Sequence, residues 1–151
     1  MNIEYLSLEE KIPDTVFPGL MALHKSVFSS AISEPDFRER LHRKKKLLCI
    51  LALSEGKPVG YKIGYERNTD EFFSWLGGVA EGFRRKGIAT ELLKRQHKRV
   101  EELGYRRILT ESENSYREMI ILNLRNGFEI AGTCADGEGK LKIIMAKRLG
   151  S

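Results

Sequence analysis

The sequence predicts an α+β fold in which a mixed, mostly antiparallel sheet of about six or seven strands is flanked by about four helices. Successive strand patterns joined by short polar turns predict an antiparallel meander in the first half of the chain. A long amphipathic helix and a further strand follow this meander, and a strand–helix–strand connection makes one strand pair parallel. The chain then ends in another helix and a predicted hairpin.

The N-terminal part is predicted to hold one strand and two helices. Residues 3–6 form a short strand candidate. Residues 12–41 have a mostly helical pattern, which we expect to break near Pro18 and again at 33–35. Residues 29–35 are typical of a loop, and loops beside a cleft often contact substrates.

The meander occupies residues 47–79. Strands are predicted over 47–53, 59–65 and 72–79, with polar turns between them. Gly77 and Gly78 interrupt the third of these strands, which indicates either a bulge or a close approach of a ligand to the backbone.

The second half of the chain begins with its clearest helix, at 87–103, where apolar residues recur every three or four positions. A strand is predicted at 107–110. Ser115 and Glu118 have the spacing of a capping box, so the next helix is expected to run from Ser115 to about residue 126. The last two strands, at 128–133 and 141–146, are predicted to form a hairpin.

Length and composition favour a single domain over residues 1–151, since the chain has 41% hydrophobic and 31% charged residues. The longest apolar run has seven residues, whereas a membrane-spanning helix needs about 20. The first residues contain three glutamates and no basic segment before an apolar stretch, unlike a signal peptide. We therefore expect a cytoplasmic protein with no membrane partner.

The two cysteines give no metal or redox motif. Cys49 and Cys134 lie 85 residues apart, and neither belongs to a Cys-x-x-Cys or Cys/His pattern. We expect two reduced core thiols and no bound metal.

A basic loop precedes the long helix, with the sequence Arg84-Arg85-Lys86-Gly87-Ile88-Ala89. The first N–H groups of a helix have no internal partner and carry about half a positive charge. Gly87 and Ala89 leave space for a ligand to approach these groups. Such a loop suits a diphosphate.

Two common phosphate loops do not match this segment. Gly82 and Gly87 have the glycine spacing of a P-loop, but Ile88-Ala89 stands where Lys-Ser/Thr is required. No Gly-x-Gly-x-x-Gly pattern follows any predicted strand. Local composition alone also leaves open a basic surface turn or a nucleic-acid contact.

The segment 84–89 resembles the Gln/Arg-x-x-Gly-x-Gly/Ala signature of the GNAT superfamily of N-acetyltransferases. Val79, Leu92-Leu93, Asn114 and Asn126-Gly127-Phe128 also stand where this family has recurring positions. The order of predicted elements matches the family over nearly the whole chain. The chain is therefore similar to GNAT enzymes in both motif and architecture.

The resemblance implies an acetyl-CoA-dependent N-acetyltransferase. In this family the parallel strand pair splays apart, and the pantetheine arm of the cosubstrate lies in the gap. An amine attacks the acetyl group directly in a ternary complex, without an acyl-enzyme. The residues implied in binding acetyl-CoA are Val79, Ala80, Arg84, Arg85, Lys86, Gly87, Ile88, Ala89, Thr90, Asn114 and Asn123.

The resemblance also raises the question of proton transfer. Asn123 stands where many members have a tyrosine acid, and an amide cannot donate a titrating proton. We expect Asn123 to orient the pantetheine or thioester instead. Glu66 and Glu71 flank the turn into the third meander strand, and either is a candidate base acting through a water. The alternative for both is a solvated turn carboxylate.

The acceptor is expected to be a primary amine of a small molecule or a peptide, contacted by residues 29–43. Arg38 and Arg40 in this segment favour an acceptor with a carboxylate or phosphate. The alternative function is a non-catalytic acyl-CoA-binding module that acts as a sensor or scaffold.

A nucleic-acid partner is not expected. The densest basic run, residues 38–46, contains no interleaved aromatic residue that could stack on bases. The sequence leaves a homodimer open.

Overall fold

A computed structural model describes residues 2–150 of the chain. In these residues seven strands form one sheet with the order β1-β2-β3-β4-β5-β7-β6. The strands are β1 (Ile3–Glu9), β2 (Leu48–Ser54), β3 (Lys57–Glu66), β4 (Glu71–Val79), β5 (Arg107–Glu113), β6 (Glu129–Ala135) and β7 (Leu141–Arg148). Among these described strands only β4 and β5 are parallel neighbours, and the other neighbouring pairs are antiparallel. The predicted mixed, mostly antiparallel sheet is confirmed.

Helices cover both faces of this sheet. The helices are α1 (Phe17–Phe28), α2 (Glu34–His42), α3 (Ile88–Glu102) and α4 (Arg117–Arg125). The side chains of α1 and α2, including Phe17 and Phe37, pack on one face around Tyr61. Leu92 of α3 packs on the opposite face with Phe72. We refer to these two sides of the sheet as the α1 face and the α3 face.

Proline begins the first two helices instead of interrupting them. Pro18 and Pro35 both stand in the first turn of their helices. A first-turn residue has no intrahelical acceptor for its N–H, so proline loses nothing there. Ser33 caps α2 by accepting a hydrogen bond from the Asp36 amide at 3.2 Å. The expected break near Pro18 is therefore wrong.

The capping box predicted at Ser115 is not formed. Helix α4 begins at Arg117, and its N-cap residue, Tyr116, makes no side-chain cap. The Ser115 hydroxyl instead donates to Glu113 Oε2 at 3.4 Å.

The expectation that both cysteines are core thiols is wrong for Cys134, which is exposed on β6, while Cys49 is buried. No described helix is both long enough and apolar enough to span a bilayer.

Candidate functional site

Strands β4 and β5 pair over only part of their lengths. Their register joins Glu71 to Arg107 and ends where Ser74 meets Thr110. Thr110 Oγ1 donates to the Ser74 carbonyl at 2.9 Å. We call this last paired position, where the two strands part, the vertex. Beyond this point β4 continues to Val79 and β5 to Glu113, but the two strands no longer pair with each other. The splayed parallel pair that the family resemblance implies is confirmed, and we call the space between the strands the gap.

A β-bulge lies at the vertex of the gap. Ile63 pairs with Leu76 and Gly64 with Ser74, so Trp75 is an extra residue in β4. A bulge bends its strand and increases its twist. The bulge thus lies where β4 turns away from β5, whereas the sequence analysis associated strand distortion with Gly77 and Gly78.

Gly77 and Gly78 instead allow close packing on the two faces of β4. A Cβ at Gly78 would lie 2.5 Å from Val27 Cγ1 of helix α1. A Cβ at Gly77 would lie 3.1 Å from Lys62 Cδ and 3.3 Å from the Tyr61 carbonyl oxygen. The glycine at 78 therefore admits α1, and the glycine at 77 admits a lysine side chain on the α3 face.

The basic loop lies at the open end of the gap. After β4 the chain makes a short 3₁₀ turn at Glu81–Phe83, and α3 begins at Ile88. Arg85 has φ +63° and Gly87 has φ +82°. The amide N–H groups of residues 85–90 donate to no described acceptor, and Gly87 provides no side-chain cap. Consecutive free amides at a helix N-terminus form an anion-binding site.

The space outside this loop is open and faces positive charge. A Cβ built on Gly87 would meet nothing within 4 Å. Arg85 and Lys86 are exposed, and neither pairs with a described carboxylate. Arg84 has another task, because its Nε donates to the Val79 carbonyl at 3.0 Å and ties the loop to the end of β4.

The structure brings most of the predicted acetyl-CoA residues to this end of the gap. Val79 and Ala80 precede the loop directly, while Asn114 follows β5 on the other side of the gap. Asn123 of α4 is only 2% exposed, and its Oδ1 has no described hydrogen-bond partner. Buried polar atoms are normally hydrogen-bonded. The unpartnered oxygen therefore fits a role in holding a ligand.

Glu66, the last residue of β3, and Glu71, the first of β4, lie at the end of β4 that is paired with β5, which we call the closed end. The eight residue steps from Glu71 to Val79 span about 26 Å in an extended strand. Glu71 binds Arg107, and it accepts from Asn68 Nδ2 at 2.8 Å. The structure therefore does not bring Glu71 to the loop.

Glu66 is buried in a polar contact at the same closed end. It accepts from Lys45 Nζ at 3.0 Å and from the Tyr105 hydroxyl at 2.9 Å. These hydrogen bonds, first that of Lys45 and then that of Tyr105, hold the pKa of Glu66 below its usual range. A carboxylate held in this way is a weak base, and Glu66 acts here as a structural partner.

A cleft of about 560 Å³ opens on the α1 face at the vertex. Its lining residues are Tyr65, Arg67, Phe73, Trp75, Leu76, Glu111 and Lys142. Glu111 directly follows the vertex residue Thr110, and it supplies the carboxylate among these side chains. Sequence reasoning missed Glu111 because it ended the strand at Thr110. Continued strand alternation would have placed Glu111 opposite the buried face.

The chain matches the model of the acetyltransferase (GNAT) family over residues 17–128. It is also 36% identical over 84 residues to an Arabidopsis thaliana protein named N-alpha-acetyltransferase MAK3. This match covers 54% of the chain and 44% of the plant protein, so the chain spans less than half the length of that relative.

Solved structures share the fold over nearly the whole chain. The ribosomal-protein-S18-alanine N-acetyltransferase from Escherichia coli superposes with a TM-score of 0.81 at 20% identity, covering 97% of this chain and 96% of that one. A chain of the NatC complex bound to Gag peptide and CoA superposes with a TM-score of 0.82 at 17% identity, covering 99% of this chain and 100% of that one. At these identities the likeness establishes the fold.

Proposed function

Because the chain belongs to the GNAT family of acetyltransferases, we propose that it transfers an acetyl group from acetyl-CoA to a primary amine by direct attack. The observation that carries this proposal is the gap between β4 and β5, which has a loop of free amides at its open end. The gap leaves one edge of β4 without strand pairing after Ser74. An extended arm can hydrogen-bond to such an edge as an added strand does.

The cosubstrate is proposed to bind along this edge. The free amides of residues 85–90 take the pyrophosphate, and the charges of Arg85 and Lys86 add to the attraction. The pantetheine arm then runs from Val79 toward the vertex. Asn123 orients the arm from the α3 face, because its buried Oδ1 can accept a hydrogen bond there.

The acceptor is proposed to enter from the α1 face through the cleft at the vertex. An amine that arrives as an ammonium must lose a proton before it attacks. Glu111 supplies a carboxylate in this cleft, one residue from the vertex. We therefore propose Glu111 as the base, in preference to Glu66 and Glu71 at the closed end.

The acceptor class is proposed to be the α-amine of a peptide. The Arabidopsis relative is named an N-alpha-acetyltransferase, and two of the structural neighbours are a ribosomal-protein-S18-alanine N-acetyltransferase and a chain of a complex bound to a peptide. The earlier expectation of an acidic acceptor relied partly on Arg38. That side chain already pairs with Asp14 at 2.7 Å and with Glu34 at 3.2 Å. Arg38 thus offers little to a carboxylate on the acceptor.

Release of free CoA from acetyl-CoA tests both the activity and the acceptor class. The acceptors are short peptides with free N-termini, the same peptides with blocked N-termini, and a polyamine. We expect release with the free N-termini and none with the blocked ones. Release of CoA with the polyamine but with none of the peptides would contradict the peptide proposal. If the protein binds acetyl-CoA but turns over no amine, the alternative of a non-catalytic module replaces the enzyme.

A further inference from the structure

Lys62 is a partly buried lysine on the α3 face of β3, the strand that borders β4 on the side away from the gap, and its side chain extends over Gly77 of β4. It pairs in register with Gly77, which belongs to the part of β4 that β5 does not cover. A Cβ at Gly77 would lie 3.7 Å from Lys62 Nζ. The ammonium group therefore lies against the strand along which the pantetheine arm is proposed to run.

No described carboxylate pairs with Lys62. The neighbouring titratable groups are His97 on α3 and Lys147 on β7, and Lys147 Nζ donates to His97 Nδ1 at 3.0 Å. Burial, then Lys147 and Lys62, lower the pKa of His97 to about 3, so this imidazole is neutral. Burial also lowers the pKa of Lys147, which Glu101 partly opposes.

Several buried polar atoms of α3 and α4 have no described hydrogen-bond partner. His97 accepts at Nδ1, so its Nε2 carries the hydrogen, and this buried atom has no described partner. Asn123 Oδ1 and both side-chain polar atoms of Gln96 are likewise buried without a described partner. Among the described residues, Lys62 thus has polar groups and Lys147 on this face but no carboxylate in direct contact.

We propose that Lys62 is the proton donor to the CoA thiolate as it leaves, an inference that rests on the proposed acetyl transfer. The reaction needs another proton donor, because Asn123 stands where the family resemblance places a tyrosine acid and its amide cannot supply a titrating proton. An arm that runs from the loop toward the vertex passes Val79, Gly78 and then Gly77. Lys62 Nζ lies beside the last of these residues.

The proton balance of the step is as follows. The amine nitrogen bonds to the acetyl carbon, and the carbon–sulfur bond breaks so that its electron pair leaves on sulfur. The sulfur takes a proton from Lys62 Nζ, which later regains one from solvent. The acceptor ammonium loses one proton to Glu111 before the attack, and Glu111 passes this proton to solvent. The nitrogen loses its second proton to Glu111 after the attack. The products are the acetylated amine and CoA with a free thiol.

The acidity of Lys62 suits this transfer. Burial lowers its pKa to about 8, and the thiol of cysteine has an ordinary pKa of about 8.5. A proton donor works best when its pKa lies near the working pH and it is still protonated there. Lys62 is mostly protonated at pH 7 and loses its proton as the pH rises through about 8.

The first test compares pH profiles of kcat/KM for wild type, Lys62→Met and Lys62→Arg. Wild-type kcat/KM should fall above about pH 8, because it reports the free enzyme, and Lys62→Met should lower kcat about 100-fold and lose this limb. The KM for acetyl-CoA should change less than about threefold, since binding rests on other groups. Lys62→Arg should not rescue kcat, because a guanidinium keeps its proton at these pH values. Rescue by arginine, or near-wild-type kcat in Lys62→Met, would overturn the proposal.

The second test needs no turnover. The ¹³Cε signal of Lys62, assigned by its absence in Lys62→Met, is titrated in the free protein, with CoA and with desulfo-CoA. CoA should raise the titration midpoint, because a neighbouring thiolate stabilises the ammonium, and desulfo-CoA should not. Bound CoA without any such change contradicts the proposal even if wild type transfers acetyl groups. A raised midpoint in a protein that acetylates no amine contradicts the proposed function alone.

Discussion

Gly87→Glu, compared with a matched control, separates the backbone strain of a side chain at Gly87 from the role of the loop in binding CoA. Gly87 has φ +82°, and a side chain in this conformation costs about 1–2 kcal/mol. For a domain of this size that cost corresponds to a melting temperature lower by about 2–8 °C. Gly104 offers a matched control, since it has φ +94° and open space around it at the other end of α3. Gly104→Glu adds the same charge and similar strain about 25 Å away.

The two variants should differ in their response to CoA. In Gly87→Glu the new carboxylate enters the space proposed for the pyrophosphate. Two like charges about 5 Å apart at an effective dielectric of about 20 repel by about 3 kcal/mol, which weakens Kd at least 100-fold. At a CoA concentration of 100 times the wild-type Kd, wild type and Gly104→Glu gain about 2.7 kcal/mol of stability.

The assay is thermal unfolding with and without CoA. Wild type and Gly104→Glu should show a rise in melting temperature of about 5–11 °C at this concentration. Gly87→Glu should show a rise of no more than about 1–2 °C. An equal rise in both variants would refute the placement of the pyrophosphate at this loop.

Three further substitutions test individual side chains. Asn123→Ala should lower kcat and leave much of the affinity for CoA intact, because the loop amides still hold the pyrophosphate. The melting temperature should change little, because the removed oxygen has no described protein partner. Full kcat would remove this residue from the mechanism. Glu111→Gln should lower kcat about 100-fold or more at pH 7 and preserve CoA binding by calorimetry; unchanged kcat would exclude Glu111 as the base. Lys62→Met should raise the free energy of unfolding in urea at pH 7 by about 1–3 kcal/mol. The folded pKa of Lys62 is lowered to about 8, so its charged form destabilises the fold at pH 7, and the gain should shrink between pH 8 and 10.5. A wild type more stable than Lys62→Met at pH 7 would contradict this reasoning.

The sequence predicted the fold well because each element has its own local signal. The apolar period of α3 and the basic loop before it are visible in consecutive residues, and both lie where expected. The helix boundaries were predicted wrongly where the same residue type is found in two different local structures. Proline can end a helix or begin one, and at Pro18 it begins α1. Ser115 has the spacing of a capping box, but its hydroxyl contacts Glu113 instead.

The site depends on contacts between residues that are distant in the sequence. The vertex joins Ser74 to Thr110, and the bulge at Trp75 follows from the register against β3. No local pattern carries this information, so the splay was reached only through the family resemblance. Lys62 is a further case, because a lysine in a strand is ordinarily solvent-exposed. Its importance emerges only from its position beside Gly77.

Amide hydrogen exchange along β4, with and without acetyl-CoA, tests the central claim most directly. Residues 71–74 are paired with β5, whereas residues 75–79 have one edge open to the gap. If the pantetheine arm lies in this gap, acetyl-CoA should slow exchange of the gap-facing amides in 75–79 and of the loop amides in 85–90. The paired amides of residues 71–74 should change little. Bound acetyl-CoA that leaves exchange in 75–79 unchanged would contradict binding in the gap.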